Sequence, residues 1–99
     1  MNPPKLKKRL SYDLQTILKT PQGRRVLWTI LQAAQIRQHG FVPGDGASTA
    51  FHCGQRSIGL YLLDEIEQAV PGAYQQMRGE YMAELISAQN QQKEETLHD

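Results

Sequence analysis

Cysteine occurs once in this chain, at Cys53. A single thiol excludes an internal disulfide and any zinc site built from several cysteines, and it fits a reducing compartment. Long apolar runs are missing as well. Nothing approaches the roughly 18 residues that span a bilayer, so a soluble protein that meets no membrane is expected. The basic start, MNPPKLKKRL, is followed by no apolar stretch of the kind a secretory signal carries, and no such signal is expected. Sustained alternation of apolar and polar residues, the mark of a half-buried strand, does not occur, which argues against a sheet. There is no internal repeat, and 99 residues suffice for one domain with a modest core.

Side chains able to perform catalysis are also scarce. Cys53, His52 and His39 are the ingredients available for a nucleophile and its base. Adjacent positions on a helix point about 100° apart, so His52 is badly placed to deprotonate Cys53, which reads instead as a small residue near a helix start. As metal ligands, His39, His52, Cys53 and His98 match no standard zinc spacing. The stretch GDGAST lacks the lysine of a phosphate-cradling loop. Asp64 and Glu65 point in different directions and suit a solvated helix face. The expectation is a protein that is not an enzyme and holds neither cofactor nor metal.

What the chain does have is segregated charge. The formal net charge is +1. Residues 1 to 37 nevertheless hold eight cations against Asp13 alone, a net +7, while residues 38 to 99 hold three cations against nine acids, a net −6. Such asymmetry implies a nucleic-acid-facing end, or an electrostatic match within the chain or between chains.

Apolar spacing then sets out the elements. Leu6, Leu10, Leu14 and Ile17 share one face of a helix over residues 6 to 18, preceded by an extended basic arm over residues 1 to 5. A second helix starts at the cap Thr20 and at Pro21, runs to about Arg37 and ends before Gly40. HGFVPGDGAST reads as a loop of about ten residues. A third helix, capped by Ser48 or Thr49, carries Phe51, Ile58, Leu62, Leu63, Ile66 and Ala69 to Val70. Gly54 and Gly59 sit inside it at a cost of up to about 1 kcal/mol each, which close packing against a neighbour must offset. Pro71 ends it and begins a fourth helix with Tyr74, Met77, Tyr81 and Leu85 as its stripe. The fold class expected is therefore all-α: a small four-helix domain over residues 6 to 86 with an antiparallel central hairpin. Beyond it lies a polar tail over residues 87 to 99, a frayed helix or disordered.

Two basic clusters call for anions. Arg24 and Arg25 stand at the start of the second helix, where the macrodipole disfavours cations by a few tenths to about 1 kcal/mol. Folding the chain about residue 43 or 44 brings them level with Asp64, Glu65 and Glu67, which crowd the wrong end of the third helix in turn. Structural ion pairs between the two clusters are expected, with a phosphate or an acidic partner as the alternative. Lys5, Lys7, Lys8 and Arg9 have no such acids in reach and are the candidate partner-binding residues. A solvated face, a nucleic acid and an acidic protein surface are the readings open to them. The loop between the second and third helices exceeds the 3 to 4 residues of a helix-turn-helix, and no aromatics interleave these cations, so DNA is the less favoured partner.

TPQGRRVLWTIL, then TAFHCGQRSIGLYLLDEI and PGAY, resemble a family of small tailed-phage and prophage proteins. The pattern is T-P-x-G-R-R-x-L-W and then T-x-F-x-x-G-x-R-x-x-G-L-x-L-L. It is met here by Thr20, Pro21, Gly23, Arg24, Arg25, Leu27 and Trp28, then Thr49, Phe51, Gly54, Arg56, Gly59, Leu60, Leu62 and Leu63. The resemblance covers about residues 14 to 82. It implies a place among head-assembly and packaging genes of short-tailed phages and brings no defined activity. The function it implies is that of a non-enzymatic structural or assembly protein near the head–tail junction. Such a protein binds other virion proteins, a portal or connector among them, or a second copy of itself. It would act in the host cytoplasm during assembly or remain in the virion. The alternative is a DNA-binding packaging or regulatory factor that uses the basic N-terminal helix.

Overall fold

The computed structural model describes residues 3–38 and 40–97, and these form four α-helices and no strand. The helices are α1 Pro3–Leu18, α2 Pro21–Ala33, α3 Gly46–Ala69 and α4 Ala73–Leu97. Helix α1 takes in Pro3, Pro4 and Lys5, which the sequence suggested were an extended arm. The first turn has no partner for its backbone N–H groups, so proline is tolerated there. Met1 and Asn2 lie outside the described residues.

The corner between α1 and α2 is built by the motif T-P-x-G. Thr20 is extended, its hydroxyl accepts the Gly23 N–H at 3.0 Å, and Pro21 takes the first helical position. Gly23 then passes so close to the end of α1 that an added Cβ would run into the backbone carbonyl of Ile17. Cap, start and close passage are thus one unit.

Helix α2 stops at Ala33 rather than near Arg37. Gln35 adopts a left-handed conformation with φ 54, which turns the chain so that Ile36 folds back into the core. Carbonyls left open there are met by α3: Gln55 Nε2 donates to the Ala33 oxygen at 2.6 Å and Arg56 Nε to the Ile36 oxygen at 3.3 Å. Tertiary pairing of the open carbonyls therefore ends the helix, without the expected glycine.

The cap of α3 is Asp45, three residues before the earliest one expected. Its carboxylate accepts the Ser48 N–H at 3.0 Å and the Ser48 hydroxyl at 2.7 Å. Thr49 clasps the loop instead, accepting the Val42 N–H at 2.8 Å. Those two bonds from Ser48 hold the Asp45 carboxyl below its ordinary 3.8. A depressed acid stabilises the fold above its ordinary pKa and loses that contribution as pH falls through the lowered value. An acid titration followed by circular dichroism should therefore show a helix-loss limb below about pH 4 that shrinks in Asp45→Asn.

At the far end, Val70 caps α3, Gly72 has φ 87, and α4 begins at Ala73, two residues after Pro71. Glu67 bridges this turn, accepting the Gly72 N–H at 2.9 Å and the Tyr74 N–H at 2.8 Å. An acid late in α3 thus serves the positive pole of α4.

The core joins Leu14 and Leu18 of α1, Leu27, Trp28 and Leu31 of α2, Ala34 and Ile36 of the turn, Ile66 and Ala69 of α3, and Ala73 and Met77 of α4. Leu31 and Ile66, both 0% exposed, are at its centre. Helix α2 runs antiparallel to α3, Ala33 lying level with Gln55, and antiparallel to α4, Arg24 lying level with Glu80. Gln15 Nε2 donates to the Ala69 oxygen at 3.1 Å and sets the C-terminal ends of α1 and α3 side by side. The whole is flat and open. Its extents are 62 × 43 × 17 Å and its radius of gyration is 17.6 Å, against about 13 Å for a compact chain of this length.

Candidate functional site

Arg24 and Arg25 leave α2 toward α4, and not toward Asp64, Glu65 and Glu67 as the folded-hairpin reading has it. Arg24 Nε meets Glu80 Oε1 at 2.6 Å, and its Nη1 donates to the Leu18 carbonyl oxygen at 2.8 Å. The guanidinium therefore sits at the negative C-terminal pole of α1 and ties that pole to α4, which offsets its poor place at the start of α2. Arg25 Nη1 stands 3.9 Å from Glu84 Oε1, with both side chains more than half exposed. Hairpin arithmetic fixes height along α2 but not side, and the side is fixed by Trp28. Its ring packs on Tyr74 at 5.5 Å and on Tyr81 at 5.4 Å, turning the neighbouring arginines to the acids that flank Tyr81. Of the three acids expected to meet them, Asp64 accepts from Gln68 at 2.7 Å, Glu67 holds the turn, and Glu65 is buried.

Glu80 and Glu84 are the partners that sequence reasoning missed. The signal was present: Glu80 and Glu84 stand four apart on one face of α4, on either side of Tyr81 in the predicted apolar stripe. A double-mutant cycle should couple Arg24, only 14% exposed, to Glu80 by about 1 kcal/mol, and Arg25 to Glu84 by no more than about 0.5 kcal/mol. Equal couplings would contradict the difference in burial. Beside these pairs lies a cavity of about 160 Å³ lined by Trp28, Met77 and Tyr81 among others. It is smaller than the roughly 300 Å³ at which small-molecule pockets begin.

The two helix glycines part company. A Cβ on Gly59 would strike Ala34 Cβ and Ile36 Cγ2, so this is the close approach that the sequence implies. At Gly54 an added Cβ meets nothing within 4 Å, and no neighbour requires a glycine there. Cys53 is exposed. The loop runs over it closely, since a Cβ on Gly40 would come within 2.7 Å of both its amide nitrogen and its Sγ. His52 Nδ1 faces Gln55 Oε1 at 3.4 Å. His39 and His98 lie outside the described residues, among which no three metal-ligating side chains cluster. Among the described residues, no helix is long and apolar enough to cross a membrane.

Two helix ends stand exposed to solvent. On α1, Leu14 and Leu18 are buried while Leu6, 49% exposed, and Leu10, 37% exposed, continue the same face into solvent. Lys5, Lys7, Lys8 and Arg9 surround these leucines, all exposed and with no ion pair among the described residues. On α4 the pairing with α2 reaches Glu84, and every side chain from Tyr81 to Glu95 is exposed. Tyr81, Met82, Leu85 and Ile86 stand there as an apolar stripe.

A family model described as Bbp19-like phage protein matches residues 14–79. No curated protein and no solved structure matches the chain. The matched segment begins at Leu14 and ends one residue before Glu80, so it holds the core and leaves out both exposed helix ends.

Proposed function

This chain belongs to the Bbp19-like phage protein family, and we propose that it acts by binding and not by catalysis, as a structural or assembly protein that meets other virion proteins near the head–tail junction. The observation that carries this reading is the free end of α1. Its apolar face outruns the core as Leu6 and Leu10, and four exposed cations share that end of the helix with no ion pair among the described residues. Exposed apolar patches rimmed by charge are what protein docking surfaces look like. An amphipathic helix of this kind lies in the groove of an acidic partner, with leucines as anchors and lysines steering the encounter. The junction is suggested by the resemblance to proteins encoded among head-assembly and packaging genes, and a portal or connector is the partner it favours.

The test replaces the phage copy with Leu6→Glu/Leu10→Glu, two surface changes that leave the core intact, and measures incorporation into particles and assembly intermediates. Loss of incorporation with unchanged helicity is the expected result. Incorporation equal to the parent's overturns the reading. The DNA alternative is read in the same purified protein. A duplex bound with a log–log salt slope near four, the number of cations in the cluster, would favour it, whereas negligible binding at moderate salt is expected.

A further inference from the structure

We infer that a second copy of this chain covers the free end of α4, through reciprocal packing of α1 of each copy along the α4 stripe of the other. The inference rests on the reading of the chain as a binding protein and names a second copy as the occupant of the α1 tip in the free protein, before the chain meets other virion proteins. Both ends are apolar stripes that continue a core-facing surface past the last helix able to cover it. Residues 85–97 of α4 extend for roughly 20 Å at 1.5 Å per residue. What a cover would bury in this segment is Leu85, 41% exposed, and Ile86, 59% exposed, which continue the stripe of Tyr81 and Met82.

Charge selects the cover. Four acids on the core portion of the molecule are engaged: Glu80 and Glu84 face the arginines, while Glu67 and Asp45 cap helices. Glu94 and Glu95, near the end of α4, are exposed and have no ion pair among the described residues. The tip of α1 carries Lys5, Lys7, Lys8 and Arg9 and no acid, while residues 85–97 of α4 carry Glu94 and Glu95 against Lys93, a net −1, which makes each the complement of the other and not of itself. Within one chain α1 packs chiefly on α2 and α3, and Leu6 and Leu10 at its tip stay exposed. The match is therefore made between copies. A twofold arrangement uses the contact twice, which a single helix-on-helix contact needs in order to approach the roughly 800 Å² per partner of a stable interface.

Light scattering after size exclusion, with native mass spectrometry, tests this on the purified full chain. A dimer at low salt that dissociates as salt rises is expected. Leu6→Glu alone and Leu85→Glu alone should each weaken it by about a hundredfold or more, since each would bury an unpaired carboxylate. Lys7→Glu/Lys8→Glu should weaken it by about three- to tenfold, and adding Glu94→Lys/Glu95→Lys in the same chain should restore it. Circular dichroism identifies any variant that fails to fold, and the charge swap then decides alone. A monomer at all concentrations overturns the inference. So does a dimer lost with Leu85→Glu but indifferent to Leu6→Glu, which is α4 pairing with α4. A monomer that still enters particles would sink the self-association and leave the broader reading standing.

Discussion

Gly23→Ala is expected to destabilise the domain by about 3 kcal/mol, at the upper end of overpacking costs. The group met by the new Cβ is the Ile17 backbone carbonyl, at the point where α1 ends and α2 begins. A side chain could rotate away, but a carbonyl at a helix end moves only with the helix. Any such movement would also disturb Arg24, whose Nη1 donates to the next carbonyl, that of Leu18, at 2.8 Å. For a domain near 100 residues this corresponds to a fall in Tm of roughly 12 to 20 °C. An alanine variant that melts with the parent would mean the corner is looser than described.

Gly54 and Gly59 of α3 should move in opposite directions. Gly59→Leu is expected to cost about 2 to 3 kcal/mol, because Ala34 and Ile36 occupy the space its side chain needs and the turn that places them is held by Arg56. Gly54→Ala should stabilise by up to about 1 kcal/mol, since it replaces a poor helix former in open space. Chemical denaturation of the two variants side by side checks the pair. Destabilisation of similar size at both positions would contradict the geometry, because only one of them has a neighbour.

These residues also mark what was legible in the sequence. The helical type of the elements and the start of α2 could be read because they depend on local chemistry: Thr20 with Pro21, and helical spacing of Leu27, Trp28 and Leu31, act within a few residues, whereas α1, α3 and α4 start at Pro3, Gly46 and Ala73 and not where expected. Positions decided by a distant element could not. Helix α2 ends where it does because Gln55 and Arg56, some 20 residues on, take up its carbonyls. Arg24 finds Glu80 because Trp28, four residues on, packs against Tyr74 and Tyr81 of α4, and those partners lie some 46 and 53 residues from Trp28 in the chain. Gly54 and Gly59 look alike in sequence, and only the turn placing Ala34 and Ile36 separates them. The uncovered ends were half visible. The basic cluster of α1 stood out as charge without a partner, while the polar tail, read as a frayed helix or disordered, is helix through Leu97. Its alanines, glutamines and glutamates are good helix formers that bury little, so propensity carries a helix where core packing gives no sign of one.

Cross-linking mass spectrometry on particles and assembly intermediates from infected cells bears most directly on the claim that the α1 tip is a protein-docking surface. Lys5, Lys7 and Lys8 carry amines suited to the purpose and stand exposed around Leu6. Cross-links from these lysines to a phage structural protein or to α4 of a second copy are the predicted result. Unlinked lysines on a chain that travels with the packaged DNA, and leaves it as salt rises, would contradict the account.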